Sequence, residues 1–196
     1  MAANLSMTDK REAILAEERR IAHRVASQVI DKPKLGIWMI LIPIFFVFYF
    51  WQLRRYADGR RTFAEKFLIT RQRALDEAWQ ACEADRGPDV EPLVRATDVP
   101  APLHAEYRRW VIPLTDHYRD LIRAHGSSYD ALIRSVYKNR TNYLLFLNRL
   151  NQVERAFNAA LKPHLDPAPE DLNGIIKLME ESTAAIRRER AEEIFP

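Results

Sequence analysis

A single uncharged stretch divides this chain and constrains its fold. Residues 35–53, LGIWMILIPIFFVFYFWQL, are nineteen consecutive residues without a formal charge, whereas the rest of the chain is rich in Arg, Glu and Asp. As a helix this stretch would be about 28 Å long, close to the ~30 Å thickness of a bilayer's hydrocarbon core. Twelve of the nineteen are Leu, Ile, Val or Phe. At about 0.3–0.6 kcal/mol each, they favour insertion by roughly 4–7 kcal/mol, so we predict a transmembrane helix here.

The ends of this segment carry residues typical of a membrane interface. Trp38 and Trp51 lie near its two ends, where amphipathic rings favour the headgroup level. Pro43, near the middle, removes a helical hydrogen bond and predicts a kink. A basic cluster follows at once: Arg54, Arg55, Arg60 and Arg61. We interpret this cluster as a topology anchor, and the alternative is recognition of an anionic lipid headgroup.

The segment starts too late and is too long for a cleaved signal peptide, which predicts an uncleaved signal anchor in a single-pass protein. Five basic residues lie within about twenty residues before it and seven over a similar distance after it, which favours a cytoplasmic C-terminal domain: Arg19, Arg20, Arg24, Lys32 and Lys34, then Arg54, Arg55, Arg60, Arg61, Lys66, Arg71 and Arg73. The lone Cys82 suits the same reducing side. A re-entrant hairpin with both ends on one side is the competing arrangement, since both flanks are basic.

Before the segment, residues 8–30 predict an amphipathic helix within an N-terminal unit of residues 1–34. Thr8 is the expected cap, and Pro33 lies just beyond the end of the helix. Glu17 and Glu18 interrupt its basic residues. Because helices that lie on a membrane carry an excess of Lys and Arg, we expect this one to pack on protein rather than on lipid.

After the segment, residues 54–196 are long enough for one domain, and their scarcity of Gly and of alternating Val, Ile or Thr favours helix over strand. We predict helices over residues 54–86, 103–125, 128–161 and 169–193, with a Pro-containing loop over 87–102. Gly59 is a candidate hinge, Pro113 should kink or split the second helix, and Ser128 should cap the third. The third helix carries a stripe like a coiled-coil seam: Val136, Tyr143, Leu147, Leu150, Phe157 and Leu161. The fold class is therefore all-α, a transmembrane helix followed by an antiparallel bundle of about four helices.

The sequence contains none of the common motifs of metal-binding, redox, phosphate-binding or hydrolytic sites. It has no Glu-x-x-His, Cys-x-x-Cys, His-Glu-x-x-His, phosphate-binding Gly-x-x-x-x-Gly-Lys or Gly-x-Ser-x-Gly motif. We therefore predict no catalytic residue, no metal and no cofactor. A net charge of +3, from thirty basic and twenty-seven acidic residues, gives no support to nucleic-acid binding.

Two groups of polar residues are candidates for a site. Asp116, His117, Asp120 and His125 lie within three turns of the second predicted helix, and they form either an acid/base or metal cluster or the border of a buried stripe. Arg140 and Glu154 fall on or beside the seam of the third helix. Inside the core they would specify register or mark a binding pocket. We instead expect both at its rim, with their charged ends in solvent.

The sequence predicts a membrane-anchored helical scaffold, adaptor or accessory subunit that docks partner proteins at the bilayer without catalysis of its own. Self-association is included among its expected contacts, because the apolar run 143–147 covers more than one face of a helix. The alternative is a membrane-associated lipid-headgroup-binding protein or enzyme that uses the basic cluster. A third hypothesis is signalling, in which a kinked membrane segment passes a signal to the bundle.

Overall fold

The computed structural model of the 196-residue chain describes residues 4–30, 59–164 and 172–196. These residues form helices and no β-strand, which confirms the all-α class. The seven α-helices of this described part are α1 (Met7–Ile30), α2 (Gly59–Glu83), α3 (Glu91–Arg95), α4 (His104–Arg123), α5 (Tyr129–Tyr137), α6 (Arg140–Leu161) and α7 (Leu172–Ile194). Two short 3-10 turns, Ala101–Leu103 and Lys162–His164, precede α4 and follow α6.

The N-terminal helix α1 is part of the bundle. It packs on α2, α4 and α7. Its buried face includes Ile14, Ile21, Val25 and Val29, none of which is more than 8% exposed. At about 1.5–3 kcal/mol for each buried aliphatic side chain, these four contribute on the order of 6–12 kcal/mol. The bundle thus has five long helices, whereas the sequence-based prediction limits it to residues 54–196.

Helices α1 and α2 run antiparallel. Near the start of α1, Arg11 pairs with Asp76 near the end of α2, at 2.5 Å between Nη2 and Oδ1. Two turns further along α1, Glu18 pairs with Arg71, at 3.1 Å between Oε2 and Nε. Each step forward along α1 is therefore a step backward along α2, and the end of α1 meets the start of α2.

Helices α2 and α4 run parallel, which corrects the expectation of a simple antiparallel bundle. Cys82, late in α2, contacts the carbonyl oxygen of Arg119, late in α4. Arg71, nearer the start of α2, lies 5.9 Å from the ring of Trp110, nearer the start of α4. The Pro-containing connection between the two helices is long enough to return along the bundle, and α3 within it packs on α4. The loop predicted over residues 87–102 contains this short helix, and its length was the signal for a parallel pair.

The remaining long helices are antiparallel to their neighbours. His117 of α4 stacks on Phe146 of α6, and Trp110 stacks on Phe157, so α4 and α6 run in opposite directions. Asn158 of α6 bonds Glu180 of α7 at 2.8 Å, and Arg140 bonds Glu192 at 2.9 Å. Helices α1 and α6 therefore run one way, and α2, α4 and α7 run the other.

The predicted helix over 128–161 is two helices. Lys138 has a φ of 67°, in the left-handed region, and ends α5. Asn139 then caps α6, its side chain accepting a hydrogen bond from the Asn142 amide at 2.9 Å. The break shifts Val136 to α5, while the other residues of the predicted seam belong to α6. An Asn with a short polar side chain was the local signal for this boundary.

Other predicted helix boundaries are corrected by smaller amounts. Ser6 rather than Thr8 caps α1, because its hydroxyl accepts from the Asp9 amide while the Asp9 carboxylate accepts from the Ser6 hydroxyl. Ser128 caps α5 as predicted, accepting from the Ala131 amide at 3.2 Å. Pro113 lies inside α4, which continues through it without splitting.

The predicted transmembrane segment, with Trp38, Pro43 and Trp51, lies outside the described residues, as do Arg54 and Arg55. Arg60 and Arg61 belong to the first turn of α2. Within the described ranges, no helix combines the length and the apolar character that crossing a bilayer requires.

Candidate functional site

A network of ion pairs centred on Glu154 of α6 lies in the interior of the bundle. Its carboxylate receives two hydrogen bonds from Arg187 of α7, Nη1 to Oε2 at 2.6 Å and Nη2 to Oε1 at 3.1 Å. Arg71 of α2 donates to Oε1 at 2.6 Å, and the indole Nε1 of Trp110 donates to the same oxygen at 3.1 Å. Three helices therefore converge on one carboxylate.

A second carboxylate, Glu18 of α1, completes the network. Tyr118 of α4 donates its hydroxyl to Glu18 Oε1 at 2.7 Å. The Nε of Arg71 lies 3.1 Å from Glu18 Oε2, close enough for an ion pair but not aligned as a hydrogen bond. Arg71 also donates to the Phe67 carbonyl at 3.1 Å, and its guanidinium lies 3.9 Å from the centre of the Phe67 ring. All five long helices thus contribute a side chain.

The charges of this network balance, with two carboxylates and two guanidiniums. Side-chain exposure is 3% for Arg71, 6% for Arg187 and 13% for each of the two Glu residues. Burial by itself would raise the pKa of Glu154, but the charges of Arg187 and Arg71 and the hydrogen bonds outweigh it and lower that pKa. Burial likewise opposes the charge of Arg187, yet Glu154 raises its pKa above the ordinary value. Glu154 and Arg187 therefore both remain ionised at neutral pH.

A smaller cluster continues these contacts towards α5. Arg190 of α7 donates to Glu17 of α1 at 2.9 Å and also pairs with Asp130 of α5. Glu17 accepts a further hydrogen bond from Arg20 at 2.8 Å. This cluster connects the short helix α5 to the first and last helices, α1 and α7.

His117 is buried and contacts aromatic residues. Its Nδ1 lies 2.7 Å from the Tyr137 hydroxyl, and its ring stacks on Phe146 with 4.4 Å between the ring centres. Burial, followed by the charge of Arg187, lowers the pKa of His117 to about 3. The ring is therefore neutral at physiological pH, as expected for a histidine held in the core.

The structure does not bring the predicted cluster around His117 together. Asp116 and Asp120 both pair with Arg119, at 3.2 Å and 3.0 Å. His125 lies beyond the end of α4, where its Nδ1 is 3.4 Å from the Asn4 amide nitrogen. In the described part of the chain, no three His, Cys, Asp or Glu side chains are grouped closely enough to hold a metal ion.

The structure separates the other predicted pair, Arg140 and Glu154. Arg140 is exposed at the first turn of α6 and pairs with Glu192 at 2.9 Å. Glu154 lies inside the bundle, the arrangement that the sequence favoured less than a position at the rim.

Sequence reasoning missed the partners of Glu154, although a signal was present. Arg71 lies one helical turn after Phe67 and one turn before Leu75, both of which are buried, so it falls on the apolar stripe of α2. Arg187 lies one helical turn before the buried Ala191 of α7. A charged residue in register with an apolar stripe was therefore the sign of a buried ion pair, but the identity of its partner depended on packing.

The geometry and pKa shifts of this network indicate a structural role. A general acid or base needs a pKa near the working pH, and the shifts of Glu154 and Arg187 both move away from it. The oxygens of Glu154 are occupied by Arg71, Arg187 and Trp110. The network therefore fixes how the five helices are arranged.

Comparison of the chain with protein-family models, with curated proteins and with solved structures finds no match.

Proposed function

We propose that this chain is a membrane-anchored helical scaffold or accessory subunit that docks partner proteins at the bilayer without catalysis of its own. The observation that carries this proposal is the closed polar network, whose charged groups bind one another rather than an open site. The uncharged segment 35–53 supplies the membrane anchor in this proposal.

The length of the apolar segment supports an anchor rather than an ordinary loop. Most loops between helices of a bundle contain two to eight polar residues, and a soluble protein would expose nineteen uncharged, mainly apolar residues only at a large free-energy cost. The described residues include buried apolar faces on all five long helices. A bilayer would cover the apolar segment and localise the bundle at the membrane surface.

Exposed apolar side chains on α6 and α4 provide positions at which protein docking can be tested. In the apolar run 143–147, Tyr143 and Leu147 are buried, whereas Leu145 is 63% exposed. On the neighbouring helix α4, Ile112 is 41% exposed. Single exposed apolar residues are common on soluble proteins, so these two are targets for a test rather than evidence of an interface.

Purification of the full chain from membranes in mild detergent tests the proposal. We expect the purified protein to form a complex larger than a monomer. Leu145→Arg or Ile112→Arg should weaken that association. Gln80→Arg, which adds the same charge at an exposed position on α2, is the matched control and should have no effect. A monodisperse monomer without a partner would overturn the proposal.

A further inference from the structure

We infer that α1 and the rest of the bundle lie on the same side of the membrane, so that the chain enters and leaves the bilayer through one leaflet. This inference rests on the proposed membrane anchor, and it differs from the single-pass arrangement that segment length alone predicts. Its basis is the packing of α1 on α2, two helices that flank the apolar segment in sequence.

The last residue of α1 and the first residue of α2 lie at the same level of the bundle. Glu18 and Arg71 face each other across the α1–α2 contact. The end of α1, Ile30, lies twelve residues after Glu18, and the start of α2, Gly59, lies twelve residues before Arg71. In antiparallel helices both steps lead the same way, and each covers about 18 Å at 1.5 Å per residue. The chain therefore leaves and rejoins the bundle at one end.

A single span would require α1 to be absent from the bundle. Its aliphatic face, including Ile14 and Val25 at 0% exposure, would lose the helices that cover it. Arg71 and Arg190 would each lose a carboxylate, Glu18 and Glu17 respectively, while remaining among the other helices. The contacts along α1 thus oppose its transfer to the other side.

The interval between the helices is long enough for the chain to enter the hydrocarbon core and return to the same side without crossing it. Residues 31–58 number twenty-eight, or fourteen for each direction, and fourteen helical residues reach about 21 Å. A hydrocarbon core is about 30 Å thick. Pro43 lies close to the midpoint of this interval, where a reversal needs interrupted helical hydrogen bonding.

The distribution of basic residues agrees with a one-sided arrangement. A single span places five basic residues on one side and seven on the other, a weak asymmetry for the positive-inside rule. When α1 and α2 share a side, all twelve lie on that side. The partner that this end of the bundle faces is accordingly one bilayer leaflet, with its headgroups next to the basic flanks.

Cysteine labelling of the full-length protein in sealed membrane vesicles tests the inference. In a Cys82→Ser background, single cysteines are introduced by His23→Cys in α1 and Asn148→Cys in α6, both at exposed positions. A membrane-impermeant maleimide should label both in inverted vesicles and neither in right-side-out vesicles, or the reverse. Opposite labelling of the two positions would overturn the inference.

A second measurement separates failure of the inference from failure of the proposed anchor. Membranes are washed with alkaline carbonate, and we expect the protein to stay with the lipid. Membrane retention with opposite labelling refutes only the one-sided arrangement, whereas release into the soluble fraction refutes the anchor and the inference together. If Cys82→Ser prevents folding, topology reporters fused to the two termini of the unaltered chain give the same answer, and reporters on opposite sides overturn the inference.

Discussion

Acidification should destabilise this bundle through His117, and the size of the effect follows from the structure. The side chain is buried, stacks on Phe146 and lies beside the Tyr137 hydroxyl, and its pKa falls from 6.5 to about 3. An unfolded chain would protonate the ring at its ordinary pKa. Below pH 6.5 the unfolded state therefore binds more protons than the folded state.

The contribution of His117 is complete above pH 6.5 and decreases as the pH falls towards 3. Each pH unit within that window corresponds to about 1.4 kcal/mol. Between pH 7.5 and pH 4.5, only the two units below the ordinary pKa of 6.5 contribute. His117 should therefore remove about 2.7 kcal/mol from the free energy of unfolding over this interval.

Urea unfolding of the full chain in mild detergent, followed by circular dichroism at pH 7.5 and 4.5, measures this loss. His117→Asn keeps a polar atom near the Tyr137 hydroxyl and does not titrate, so its stability should fall by about 2.7 kcal/mol less than that of the wild type over this interval. Carboxylates such as Glu154 also titrate, but they are present in both proteins and largely cancel in the difference. His23→Asn, at an exposed position of α1, is the control and should retain the wild-type pH dependence. Equal pH dependence in wild type and His117→Asn would refute the argument that His117 is held neutral.

Three further changes test other parts of the fold, each by urea unfolding. Glu154→Gln removes the carboxylate that pairs with the buried Arg187 and one of the two that pair with Arg71, and it should cost about 3–5 kcal/mol, while the same change at the exposed Glu192 should cost less than about 1 kcal/mol. Gly126→Ala should destabilise the α4–α5 turn by about 1–3 kcal/mol, because an added Cβ would lie 2.9 Å from the Leu132 amide nitrogen; an unchanged midpoint would show that the turn can relax. Asn139→Ala should cost about 1 kcal/mol through the lost cap of α6, and no loss would mean that the cap is dispensable.

A fifth prediction concerns the anchor and the bundle together. Replacement of residues 35–53 by a Gly/Ser linker of equal length should leave the bundle folded and release the protein from membranes, because α1 and α2 meet at one end of the bundle. Loss of the bundle in this variant would show that residues 35–53 are needed for its folding.

Local patterns in the sequence were sufficient to locate most of the helices. Apolar residues at helical spacing predicted α1 over residues 8–30, and the structure has Met7–Ile30. The helix predicted over residues 103–125 is α4, His104–Arg123. These agreements arise because helix formation depends on neighbours within one or two turns, and those neighbours are visible in the sequence.

The predictions that failed depended on distant residues or on one boundary. A continuous helix was expected where Lys138 adopts a left-handed conformation and Asn139 starts a new helix. Glu154 was expected at the rim, but Arg71 and Arg187 neutralise it inside the bundle. Without those two partners the burial of a carboxylate is unfavourable, so the rim was the reasonable prediction for an isolated helix.

The sequence alone determined that this chain is helical, that an uncharged segment divides it at residues 35–53, and that it lacks the common catalytic motifs. The tertiary structure decided that α1 joins the helices after that segment in one bundle and that α2 runs parallel to α4. It also decided which charges meet, Glu18 with Arg71 and Glu154 with Arg187. The physical reason is that helical periodicity is a local property, whereas helix direction and ion pairing depend on contacts between residues as far as 173 positions apart.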